Sequence, residues 1–515
     1  MKRQPLVSPG SLSRLLQQAA ECWRRRDYPQ YFDLIERACR LDPANHRILL
    51  DLGLAHGIRY DYPAAEHCFD RAIRMAPNKS DALVMAGTYC RNFSRFEMAR
   101  NYFEQAAAQK DASPDTFVKL AEIHERFRAL DKAGELVDRA LRLEPASPLA
   151  LLVRARLDRL AGRLDEAEKI LRPVLARTDA DSWSTRIRGW YELGAILDRQ
   201  ARYDEAMAAF VTAKELFRPH AERYAASQQS VHAHLREAAA NITADVLQRW
   251  FDAGATLQPP SRLALLCGHP RSGTTLLEQV LDSHPDVISA EETPIFFETY
   301  LGLRQRCPDN ASMLSILDSA TPAGLRQMRE DYFRSMESFS GNSIGGRLLI
   351  DKNPSLTALV PAIIRVFPEI KILTALRDPR DVCLSVFMQP LPLNSVSASF
   401  LTLRGIVEEY ECLMGFWRAM APRMRNPRIE VRYEDMVTDL ESISRRVLEF
   451  LGLPWDDRVL HFNEHAQKRL VRSPTYSDVT KPVFKSAVGR WRHYQKHLEP
   501  WLLKLEAFVK AFGYE

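Results

Sequence analysis

No run of residues in this 515-residue sequence is long and apolar enough to cross a bilayer, so no membrane span is expected. The opening Met1-Lys2-Arg3-Gln4-Pro5 carries two positive charges, yet no apolar core follows before Ser11-Leu12-Ser13-Arg14. That order argues against a secretory signal. Cysteine is sparse. The eight residues at 22, 39, 68, 90, 267, 307, 383 and 412 show no CxxC pair and no ligand-like spacing, so no metal is expected. Isolated thiols of this kind fit a reducing compartment, and a cytoplasmic location is expected. Nor is charge of either sign in large excess, with 71 Lys and Arg against 66 Asp and Glu. The resulting +5 suits an anionic small ligand and falls well short of the dense basic surface that binds nucleic acid.

What is present, first, is a period. Frames of 34 residues can be laid down from 12, 46, 80, 114 and 148 and, after a short insertion, from 187. Their eighth position reads Ala19, Gly53, Gly87, Ala121, Ala155, Gly194, and their twentieth Tyr31, Ala65, Ala99, Ala133, Ala167, Ala206. The twenty-seventh reads Ala38, Ala72, Ala106, Ala140, Val174, Ala213. Between the last two columns stands a larger apolar residue: Ile35, Phe69, Phe103, Val137, Leu171, Phe210. Small residues let two helices approach, the larger one fills the gap beside them, and Pro43, Pro77 and Pro145 stop the second helix because proline has no N–H to continue it. This period and column pattern resembles the tetratricopeptide repeat. The resemblance implies an all-α solenoid over residues 1–258, with repeats near 12–45, 46–79, 80–113, 114–147, 148–181 and 187–220 and a helical linker. Its concave face would hold a peptide or protein partner or serve as a scaffold.

Gln258-Pro259-Pro260-Ser261 breaks the helical pattern, and a second domain is expected over 259–515. It opens with the apolar run Leu263-Ala264-Leu265-Leu266-Cys267, a buried strand, then Gly268-His269-Pro270-Arg271-Ser272-Gly273-Thr274-Thr275, then an amphipathic helix from Leu276. Strand, glycine-bearing loop and helix make a phosphate cradle, because loop N–H groups and the helix N-terminus point at one spot. The glycines keep the spacing of the nucleotide triphosphatase loop GxxxxGK[ST], but Thr274 stands where its lysine belongs and Arg271 is the nearby cation. Loss of that lysine argues for a ligand with less charge at its reacting end than ATP carries. A second strand, Ile370 to Leu376, runs into Arg377-Asp378-Pro379 and a helix bearing Ser385, so Arg377 and Ser385 can address one phosphate.

Pro270-Arg271-Ser272-Gly273-Thr274-Thr275-Leu276 resembles the 5′-phosphosulfate loop of the sulfotransferases that use PAPS (3′-phosphoadenosine 5′-phosphosulfate). The continuation His284-Pro285-Asp286-Val287 to Glu291-Glu292-Thr293 is most similar to the tyrosylprotein type. The resemblance implies a P-loop-like α/β domain with a mostly parallel sheet. Arg271, Ser272, Gly273, Thr274 and Thr275 would bind the 5′-phosphosulfate, Arg377 and Ser385 the 3′-phosphate, Tyr433 the adenine side, and Arg490 would belong to a segment closing over the nucleotide. Glu292 would be the catalytic base, Lys352 would stabilise charge on the sulfuryl group, and Ser473, matched with a two-residue shift, would stand near it.

The reaction so implied is sulfuryl transfer from PAPS to an acceptor hydroxyl, leaving PAP and needing no metal. Protein tyrosine, a saccharide and a lipid-linked hydroxyl all stay open as acceptor. Two other functions also remain: a P-loop kinase or triphosphatase, disfavoured by Thr274, and a non-catalytic repeat adaptor. Because every phosphate motif follows Pro259-Pro260, the repeats are expected to be separable from the chemistry.

Overall fold

The computed structural model describes residues 9–25, 27–177, 183–257, 262–391, 393–468, 479–480, 483 and 485–514. They form two compact units, Met1–Arg163 and Leu164–Glu515. No helix among them is long and apolar enough to cross a membrane, and all eight cysteines are free thiols.

Among its described residues, the regular structure of the first unit is all helical. Its helices pack in sequential pairs: Pro9–Arg25 with Tyr28–Leu41, His46–Ile58 with Tyr62–Met75, Lys79–Asn92 with Phe96–Ala107, and Pro114–Arg126 with Leu130–Leu143. The column residues explain the pairing. A Cβ added to Gly53 would stand 2.3 Å from the Phe69 ring, and one on Gly87 would stand 2.8 Å from Phe103. The small residue of the first helix is thus the floor on which the large residue of the second one sits. Ala38, Ala72, Ala106 and Ala140 are fully buried. Asn45, Asn78 and Ser113 cap first helices through their side-chain oxygens. Second helices end at Leu41, Met75 and Leu143, two residues before Pro43, Pro77 and Pro145.

Among the described residues, the turn inside five repeats carries a conformation that recurs with the period. Tyr60, Ser94, Arg128 and Gly162 have φ of 65°, 59°, 64° and 82°, and Ala201 follows at 58°. Only one of these five is glycine, the residue that adopts this left-handed geometry without steric cost.

The second unit contains the last repeat pair, Trp183–Arg199 with Tyr203–Ala221, and the linker helices Ala225–Asn241 and Ala244–Ala253. It also holds a five-stranded sheet. The strands are β1 (Leu263–Gly268), β2 (Val287–Glu291), β3 (Leu348–Lys352), β4 (Lys371–Leu376) and β5 (Arg428–Arg432), in the order β2-β3-β1-β4-β5. All four pairings are parallel. Every residue of β1 is buried, as a central strand covered on both faces requires. Ala264, Leu266, Ile350 and Leu373 meet Leu277, Val280 and Leu448 of the covering helices in one core. Because the strands run the same way, their carboxyl ends lie along a single edge, where ligands bind in sheets of this kind.

Candidate active site

Each of the five strands delivers a candidate residue at that edge. β1 leads into the loop 269–273, β2 ends at Glu291 and is followed by Glu292, β3 ends at Lys352, β4 precedes Arg377, and β5 precedes Tyr433. Register fixes the neighbours: Lys352 lies opposite both Leu266 of β1 and Glu291 of β2.

The loop is held from below. Thr357 Oγ1 accepts the Gly268 N–H at 2.9 Å and donates to the Gly268 carbonyl at 2.8 Å. A side chain on Gly268 would strike the Ala375 carbonyl at 2.4 Å, so only glycine lets β1 and β4 remain this close. His269 is fully buried and bonded through Nε2 to Glu409 at 2.8 Å and through Nδ1 to the Pro270 carbonyl at 2.8 Å. Gly273, at φ 91°, precedes the helix Thr274–Asp282, and Thr274, Thr275 and Ser272 are buried around its start. The first N–H groups of that helix have no partner inside it, which leaves them for an anion.

Arg271 has φ 73°, a conformation costly for any residue with a side chain. Its Nε donates to Ser385 Oγ at 3.1 Å, and its carbonyl accepts from Arg377 at 3.3 Å. Arg271, Arg377 and Ser385 therefore stand together. Arg377 is 8% exposed, and its Nε is buried with no hydrogen-bond partner among the described residues. A buried guanidinium N–H left without a partner is the kind of donor a phosphate oxygen satisfies. The guanidinium also lies 4.9 Å from the centre of the Tyr433 ring. A Cβ on Gly273 would meet that ring at 2.8 Å. The structure thus places Tyr433 against the phosphate loop.

Lys352 is fully buried and surrounded by carboxylates. Its Nζ lies 2.8 Å from Glu292 Oε1, 3.2 Å from Glu291 Oε1 and 3.5 Å from Glu278 Oε2. Burial opposes its charge, but the fields of Glu278, Glu291 and Glu292 outweigh that and hold its pKa above the usual lysine value. Consecutive side chains on an extended chain face opposite ways, so only one of the paired glutamates would be expected to reach the site. Instead both reach the same ammonium group. Side chains alternate along a strand, and the positive φ of Glu292, 49°, breaks that alternation just past β2. The Glu292 N–H donates to the Lys352 carbonyl at 2.7 Å, locking the turn. Glu291 is buried, whereas the Glu292 side chain is 45% exposed and accessible to an incoming group.

The Arg490 guanidinium forms an ion pair with Asp198 of the helix Trp183–Arg199. The segment it belongs to reaches the Arg377 end of the site. Arg377 donates to the Ala487 carbonyl, and Asp381 accepts the N–H groups of Gly489 and Trp491, each at 2.7 Å. Ser473 lies outside the described residues.

Sequence reasoning missed several participants. Glu278 is one, and its signal was a buried-type amphipathic helix interrupted by adjacent Glu278 and Gln279. Asp381 is another, one helical turn beyond Arg377. Thr357 and Glu409 left no local mark, since their partners lie 89 and 140 residues away.

Residues 264–457 match the model of the sulfotransferase family. Residues 50–115, 85–148 and 187–220 match tetratricopeptide repeat models. An uncharacterized protein of Aquifex aeolicus (strain VF5) is 27% identical over 61% of this chain and 41% of its own length. Protein-tyrosine sulfotransferase A of Caenorhabditis elegans is 29% identical over 44% of this chain and 59% of its own. The chain thus spans about half the length of these curated relatives. Among solved structures, the sulfotransferase domain of the Synechococcus PCC 7002 olefin synthase aligns with 50% of this chain and 96% of its own, at 21% identity and a TM-score of 0.34. The chain carries a sulfotransferase-family domain preceded by tetratricopeptide repeats.

Proposed function

We propose that this protein transfers the sulfuryl group of PAPS to an acceptor hydroxyl, and that residues 259–515 form the domain that does so. One observation carries the reading: at a single sheet edge, Lys352 bridges the Glu291-Glu292 pair while Arg271, Arg377 and Ser385 cluster on the other side of the phosphate loop.

In this mechanism Arg377 and Ser385 bind the 3′-phosphate, and the buried, unpartnered Nε of Arg377 supplies the free donor. The loop from Ser272 to Thr275 and the helix N-terminus hold the 5′-phosphosulfate. Glu292 takes the proton of the acceptor hydroxyl as its oxygen bonds to sulfur, and the bond between sulfur and the bridging oxygen breaks to release PAP. Lys352 and Arg271 meet the negative charge that grows on the sulfuryl and bridging oxygens. Glu292 is half exposed and so open to an acceptor, while Lys352 is sealed from water and held in place by Glu278 and Glu291.

Tyrosyl peptides head the acceptor candidates, on the strength of the protein-tyrosine sulfotransferase relatives. The repeats would then present or recruit a protein partner. Incubation with labelled PAPS and an acceptor panel of tyrosyl peptide, saccharide and lipid-linked alcohol tests the reaction. PAP should raise the melting temperature strongly and ATP with magnesium weakly. The reverse order, or no labelled product from any acceptor, overturns the assignment.

A further inference from the structure

The last repeat bonds residues 490–497 through two carboxylates, Asp198 and Asp204, and the first is the more enclosed. Asp198, on the helix Trp183–Arg199, is only 12% exposed at its side chain. It forms an ion pair with Arg490 and accepts the Tyr494 hydroxyl at 2.6 Å. Tyr494 is fully buried. The neighbouring repeat helix adds to the grip: Tyr203 stacks on His493 at 4.5 Å and 15°, and Asp204 pairs with Lys496 and His497. All these partners fall within residues 490–497, the continuation of the segment whose 487–491 portion bonds Arg377 and Asp381.

We propose that Asp198 is a positioning residue for donor binding: it anchors the 487–494 strap so that the strap holds Arg377 and the Ser385 helix in phosphate-binding geometry. The relay is short and each link is polar. Asp198 fixes Arg490 and Tyr494. The strap places the Ala487 carbonyl on Arg377, and its Gly489 and Trp491 N–H groups hold Asp381, one helical turn before Ser385. The Arg490 side chain is 35% exposed, so loss of Asp198 would let it turn toward water, while the hydroxyl of the buried Tyr494 would lose its acceptor, and both changes loosen the strap. A bare packing contact would not pass through the two residues, 377 and 381, that flank the phosphate anchor. The repeats would thus help to build the donor site, contrary to the separability expected from the position of the proline break.

The proposal rests on the reading of this edge as a PAP site, and the experiment separates the two. PAP affinity is measured by calorimetry, well below each protein's melting temperature, for the full chain and for Asp198→Ala, Arg490→Ala and the double variant. We expect Asp198→Ala to weaken PAP by tenfold or more, and the double variant to lose no more than the worse single one, because both act through the same strap. Asp198→Asn, which retains an acceptor for Tyr494, should lose less and serves if the alanine variant does not fold. A melting temperature lowered with PAP affinity unchanged within twofold, in either Asp198 variant, makes Asp198 merely structural and overturns the inference. An unaltered chain that fails to bind PAP overturns the donor-site reading and this inference with it.

Discussion

Lys352 and Glu292 form a contact of 2.8 Å in which a fully buried ammonium meets a half-exposed carboxylate. The pair joins the group proposed to take the acceptor's proton to the group proposed to receive charge from the donor. A base already hydrogen-bonded to a cation is oriented before substrate arrives, and the acceptor hydroxyl then competes only for its exposed oxygen.

Glu292→Gln should therefore lower turnover by roughly 10²–10⁴ while PAP affinity stays nearly constant. The half-exposed side chain implies little change in melting temperature. Glu291→Gln should cost less turnover and more stability, because its carboxylate is buried against Lys352 and not open to an acceptor. Single-turnover transfer with calorimetry and melting curves on both variants checks this, and a larger turnover loss in Glu291→Gln would assign the base to the other glutamate.

Lys352→Met leaves Glu278 and Glu291 buried without their cation, which should cost on the order of 3–5 kcal/mol of stability in urea unfolding. Adding Glu278→Gln should recover part of that stability and none of the turnover. Recovery of turnover in the double variant would show that Lys352 serves the fold alone.

Arg377→Ala should weaken PAP by about 2–5 kcal/mol, since a phosphate would then sit poorly paired. Ser385→Ala should cost about 0.5–1.5 kcal/mol, the worth of one ordinary hydrogen bond. Calorimetry giving equal affinity for Arg377→Ala and the unaltered chain would move the phosphate anchor elsewhere.

Lys214, on the helix Tyr203–Ala221, is buried between the rings of Tyr191 and Phe387, and burial pushes its pKa down to about 7. The unfolded chain holds that proton to near pH 10, so between pH 7 and 10 the unfolded state binds more protons and stability rises with pH through this group. Below pH 7 the folded state must carry the buried charge, and the destabilisation is complete. Lys214→Met should raise the melting temperature by a few degrees at pH 6, and the gain should shrink steadily toward pH 10. A gain independent of pH would show that Lys214 does not titrate in this range.

Local patterns made most of the architecture readable. The Gly53–Phe69 and Gly87–Phe103 contacts are consequences of residue size at fixed spacing, so the column pattern already contained them. The strand, loop and helix around Gly268 and Gly273 were equally local. Arg271 and Ser385 were named separately, and the sheet order brings them within 3.1 Å of each other. The long-range partners were another matter. Asp198 and Arg490 stand 292 residues apart, and nothing near either residue marks the other. Glu278 looked like one more polar position on a helix until β3 placed Lys352 beside it. The convergence of Glu291 and Glu292 depends on a single backbone angle at 292, which residue identity does not dictate.

The left-handed residues have an engineering consequence. Glycine at 60, 94, 128 or 201 relieves a steric penalty of about 1–2 kcal/mol per site, partly offset by the extra freedom glycine gives the unfolded chain. The repeat turns are thus places where heat resistance can be raised without altering any proposed catalytic group. Arg271 and Glu292 hold the same conformation, and there glycine would give the same relief while deleting the guanidinium or the carboxylate. A laboratory selection for survival at high temperature alone would accept all six exchanges alike, and would return a hardier protein with no chemistry left.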